Sequence, residues 1–132
     1  MTIYALSSGP GIAGVAVVRV SGKETAKVIK KITNNDLPSP RVATLRKMNN
    51  INTNELIDEG LIIWFPGPQS YTGEDLAEFH VHGSRAVVAA LQASISNTTR
   101  PQWQLPLYVS MICLICQFIF SKSSPHLRPV EQ

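Results

Sequence analysis

Cysteine is scarce. Only Cys113 and Cys116 occur among 132 residues, so no disulfide framework supports the fold and a reducing compartment is expected. Their Cys-x-x-Cys spacing has no second pair, only His126 stands near it, and apolar Leu114 and Ile115 fill the gap, which argues against zinc and against a redox pair. Charged residues are few as well, 16% against 44% hydrophobic, which excludes the high-charge, low-hydrophobicity signature of disorder. No Gly-x-x-x-x-Gly-Lys-Ser/Thr run occurs. The glycine-rich turn Ser8-Gly9-Pro10-Gly11-Ile12-Ala13-Gly14 opens a strand rather than a helix, so it lacks the helix N-terminus that cradles phosphate, and no nucleotide-binding residue is expected. The N-terminus shows neither a secretory nor a transit-peptide pattern. The longest apolar run, Leu105 to Phe120, is broken by Pro106, Ser110 and Gln117 and falls short of the roughly 20 apolar residues of a membrane span. A membrane partner is not expected.

The length suits one domain of ordinary size. Its charge is polarised along the chain. Arg19 to Lys47 holds eight Lys/Arg against Glu24 and Asp36, a net +6, whereas Glu55 to Glu78 holds six acids and no base, −6. Such a pattern fits head-to-tail association, an anionic ligand or cancellation within the fold better than a uniformly basic nucleic-acid surface, and DNA binding is not expected.

Strands are predicted at Thr2 to Ser7 and at the β-branched run Val15 to Val20. Ser21-Gly22-Lys23-Glu24 reads as a capping box that opens a helix with Val28, Ile29 and Ile32 on its apolar side, ended by Asn34 to Pro40. Further strands are expected at Val42 to Met48 and at Leu56 to Phe65, the latter stopped by Pro66-Gly67-Pro68. Leu76 to His82 alternates, with Glu78, His80 and His82 on one face and Ala77, Phe79 and Val81 on the other. Gly83-Ser84 introduces a last helix with Val87, Val88, Leu91 and Ile95 as its stripe. These elements predict an α+β fold, a mixed sheet packed with helices.

Two residues are out of place in this pattern. Arg19 interrupts the apolar run around it, and a guanidinium there implies a carboxylate or phosphate partner, with Glu78 itself one alternative. Glu78 sits among apolar strand positions, where a buried unpaired carboxylate is costly. Glu78-x-His80-x-His82 is too loose a set for a metal, so no metal ligand is expected, and the histidines read as half-buried and hydrogen-bonded.

Pro10 to Gly22, Leu61 to Asp75 with its Trp64-Phe65-Pro66-Gly67-Pro68-Gln69-Ser70-Tyr71-Thr72-Gly73-Glu74-Asp75 run, and Glu78-Phe79-His80-Val81-His82-Gly83 together resemble the N-terminal domain of the MnmE/TrmE tRNA-modification GTPases. Residues 2 to 96 carry the resemblance. The Ala5-Leu6-Ser7-Ser8-Gly9 opening and the Glu78 to Gly83 motif look more like the eukaryotic, mitochondrial members, which implies a mitochondrial location.

The resemblance implies an α+β fold similar to folate-binding domains, dimerisation, and 5-formyltetrahydrofolate bound at or near the dimer interface. It places the folate contacts of the family on Arg19 and Glu78, and it gives the full-length protein a flavin-dependent partner with which it modifies the wobble uridine of tRNA. The chemistry agrees, since the adjacent N–H donors of a pterin suit a bidentate carboxylate and the polar groups or glutamate tail of folate suit an Arg. Beyond residue 96 the chain departs from the family. The segment whose lysine is a third folate contact is absent, as are the GTPase domain and its catalytic machinery, and Ser84 stands where a second glycine is usual. The expected organisation is therefore an incomplete folate-binding and dimerisation domain over 1–96 and a divergent apolar, proline-containing tail over 97–132, with no catalytic residue.

Overall fold

The computed structural model describes residues 1–9 and 13–99. The elements run β1 (Ile3–Leu6), β2 (Val15–Ser21), α1 (Thr25–Thr33), β3 (Thr44–Asn49), β4 (Leu56–Phe65), β5 (Leu76–His82) and α2 (Arg85–Thr99). The strands form one sheet in the order β1-β2-β5-β4-β3. After β2 the chain crosses through α1 to the far edge, returns as the β3–β4 hairpin and inserts β5 at the centre. Where the sequence predicts a mixed sheet, all four pairings are antiparallel. The α+β class holds, but hydrophobic period reports burial and not strand direction.

Alternation decides the two faces. Val18 and Val20 of β2, Ile62 and Trp64 of β4, and Ala77, Phe79 and Val81 of β5 share one core with Val28, Ile29 and Ile32 of α1 and Leu91 and Ile95 of α2. Both helices therefore pack on the same side of the sheet. The row Leu6–Val18–Phe79–Ile62–Thr44 crosses all five strands on that side. The adjacent row, Ala5–Arg19–Glu78–Ile63, lies on the opposite side, away from both helices.

The predicted capping box does not form. β2 continues through Ser21, which pairs with Ile3 and Leu76, and the Ser21 hydroxyl bonds Thr72 Oγ1 at 2.8 Å. Glu24 is the N-cap and makes no side-chain cap bond. Long-range partners replace the local ones: Thr2 Oγ1 accepts from the Glu24 N–H, the Gly22 N–H donates to the Asp75 carbonyl, and Thr25 Oγ1 donates to the same carbonyl. Gly22 makes the strand-to-helix corner at φ 134°, where a Cβ would lie 2.4 Å from the Met1 carbonyl oxygen. The helix ends as predicted, with Asn34 left-handed at its C-cap.

Candidate functional site

Arg19 and Glu78 are direct cross-strand partners at the middle of the sheet. Directly opposed residues on neighbouring antiparallel strands bring their Cβ atoms within about 5 Å, so the register alone juxtaposes these side chains. Arg19 Nε donates to Glu78 Oε1 at 2.9 Å. The second carboxylate oxygen is also engaged: Glu78 Oε2 lies 3.0 Å from His80 Nε2. The side chains are 33% exposed for Arg19, 16% for Glu78 and 28% for His80. A half-buried anion thus stands between a permanent cation and a titratable donor on the side of the sheet that, among the described residues, carries no helix.

The setting is otherwise apolar. Leu61 and Val17 are the cross-strand neighbours of His80, and Leu45 continues that row at the sheet edge. Leu45 and Leu61 are 60% and 42% exposed. Ile63 flanks Glu78 on β4. Gly60 of β4 packs so closely on β5 that a Cβ there would lie 2.1 Å from the His80 carbonyl oxygen, which fixes the strand spacing beneath His80.

The two histidines of the motif separate in function. His80 joins Glu78, whereas His82 turns to Asp58 near the start of β4. The His82 N–H donates to Asp58 Oδ2 at 2.8 Å, and Nδ1 lies 2.9 and 3.0 Å from the two carboxylate oxygens. Burial alone would raise the pKa of Asp58, but hydrogen bonds from the His82 backbone, the His82 ring and the Glu59 backbone outweigh it and hold the carboxyl below its ordinary value. Sequence reasoning missed Asp58, although the acidic pair Asp58-Glu59 inside a strand was an available signal. Among the described residues no group of three or more His, Cys, Asp or Glu side chains gathers as a metal site.

A cavity of about 230 Å³ lies elsewhere, between the β3–β4 hairpin and α2, lined by Asn50, Glu55, Leu56, Ile57, Ala86, Val87 and Ala90. It contains neither Arg19 nor Glu78 and is smaller than the roughly 300 Å³ lower bound of small-molecule sites. Among the described residues no helix is long and apolar enough to cross a membrane. The tail expected over 97–132 begins within α2 and otherwise lies outside the described residues, as do its Cys-x-x-Cys pair and apolar run.

The chain is 74% identical over 97 residues to the tRNA modification GTPase MnmE of Pelagibacter ubique, a match covering 74% of this chain and 22% of the relative. It is 51% identical over 96 residues to the mitochondrial 5-taurinomethyluridine-tRNA synthase subunit GTPB3 of Danio rerio, covering 73% and 19% respectively. Against the mitochondrial tRNA modification GTPase of Dictyostelium discoideum the figures are 47% over 111 residues, 78% and 22%. The chain thus spans about a fifth of the length of these curated relatives. They include bacterial and mitochondrial proteins, so the expected mitochondrial type is not distinguished by the match itself. Residues 2–103 match the family model described as GTP-binding protein TrmE N-terminus, and with most of its length inside that match the chain belongs to the TrmE N-terminal family.

Proposed function

We propose that this domain binds a reduced folate, 5-formyltetrahydrofolate, through Arg19 and Glu78 and self-associates through the helix-free face, as the folate-binding and dimerisation module of a tRNA wobble-uridine modification GTPase. The observation that carries the reading is the Arg19–Glu78–His80 constellation, polar and half-exposed at the centre of the sheet face, with apolar cross-strand neighbours Ala5, Val17, Leu61 and Ile63. The donor set fits the ligand: each oxygen of an ionised carboxylate has two lone pairs, so Glu78 retains acceptor capacity toward a pair of adjacent N–H groups while Arg19 holds its charge. Bound folate would supply the one-carbon unit. The tRNA, the GTPase activity and a flavin-dependent partner belong to the longer protein. Its location follows the relatives, which are both bacterial and mitochondrial.

Calorimetry with 5-formyltetrahydrofolate is the test. Without the family's lysine contact the dissociation constant should be no better than about micromolar, near −8 kcal/mol. Glu78→Gln should weaken binding by about 1.5–3 kcal/mol, the worth of a hydrogen bond to a charged group. Equal affinities in a folded variant would overturn the role of Glu78. A second reading, an oligomerisation remnant that binds no folate, draws on the fact that Arg19 and Glu78 already satisfy each other; absence of any heat at millimolar ligand would favour it.

A further inference from the structure

We propose that His80 is a third, proton-dependent member of the ligand site, competing with the ligand for Glu78 Oε2; this rests on the folate reading above. A carboxylate that recognises two adjacent N–H donors must present both oxygens to them. Oε1 of Glu78 is held by Arg19 Nε, whose charge does not change with pH, and Oε2 is held by His80 Nε2. Of the two holds, only the imidazole can be strengthened by a proton near neutrality. Protonated His80 donates to Oε2 as a cation, a bond roughly twice as strong as the neutral one, and leaves that oxygen a poorer acceptor for the ligand's N–H. In the neutral ring the hold is weaker and the oxygen is yielded to the incoming N–H.

Among the described residues, the surroundings leave His80 as the titratable group in position to do this. From β2, Val17 stands opposite the imidazole and Arg19 is one step along the same face. From β4, Leu61 stands opposite, with Glu59 two residues along and paired in register with Lys47 of β3. On β5 itself Glu78 and His82 flank it, and the ring of His82 is committed to Asp58. His82 therefore serves as an internal control.

Binding of 5-formyltetrahydrofolate to the full chain, measured by calorimetry from about pH 7.5 to about pH 5.5, tests the assignment. Wild type should lose affinity on acidification, about tenfold over that interval. His80→Gln retains a neutral amide donor for Glu78 and should lose most of the acid dependence, its affinities at the two ends of the interval agreeing within about twofold. His82→Gln should keep the wild-type profile. Binding by wild type that is independent of pH, or that tightens in acid, overturns the role of His80 and leaves the folate reading standing. No binding at any pH overturns both.

Discussion

A carboxylate on a sheet keeps its charge only if protein donors replace the water it loses, and Glu78 and Asp58 meet that condition differently. Glu78 uses side chains from two strands, Arg19 and His80. Asp58 uses the backbone N–H and the ring of His82 together with the Glu59 backbone, and ties the start of β4 to the end of β5. Because the folded-state pKa of Asp58 is depressed, its contribution to stability is fully present above the unfolded value of about 4 and is lost as pH falls through the folded value. Asp58→Asn should therefore destabilise the fold at neutral pH, by about 1.5–3 kcal/mol if the charged hydrogen bonds set the scale, and the penalty should shrink below about pH 4. Urea melts of both forms across that range check it; a penalty that persists undiminished at low pH would assign the effect to shape rather than charge. The significance of Asp58 was hard to read from sequence because its partner lies 24 residues away and donates in part through its backbone N–H, which no residue pattern encodes.

At the scale of the element, β4 and β5 have the boundaries expected from sequence. Leu56 to Phe65 ends where Pro66 and Pro68 cannot donate to a ladder, and Leu76 to His82 alternates cleanly between core and open face. The open-face placement of Glu78, His80 and His82 was legible for the same reason. The register that sets Arg19 against Glu78 was not, because it depends on β5 inserting between β2 and β4, a tertiary choice; from residues alone the pair was one alternative among several. Local signals misled at Ser21, where strand pairing and Thr72 outcompeted a cap that the tetrapeptide could have formed. Phe79 tests how the central strand supports the site. It is fully buried beside Val18 and Ile62 on the face opposite Glu78. Phe79→Ala should cost about 3–5 kcal/mol from lost burial and the cavity left behind, seen as a lower denaturant midpoint. A loss below about 1 kcal/mol would mean that the core closes around the deletion.

For the whole molecule, the polarised charge of the chain resolves in part within the fold. The basic stretch supplies Arg19 to Glu78 of the acidic one, and Lys47 stands opposite Glu59 in the β3–β4 register. Apolar surface is left open as well: among the described residues the sheet carries two helices on one side and has Leu45, Leu61 and Val15 exposed on the other. An open face of this kind seeks cover, and a second copy of the chain, presenting the same stripe, is self-complementary under twofold symmetry. Sedimentation velocity at micromolar concentration should accordingly find a dimer. Leu61→Lys, at a position 42% exposed and therefore tolerant of a long polar side chain, should shift it to monomer with an unchanged circular dichroism spectrum. Persistence of the dimer in that variant would place the contact on another surface. A monomeric wild type would show instead that Arg19, Glu78 and His80 make this face polar enough to stay in water, and the ligand site would then have to be complete within one chain.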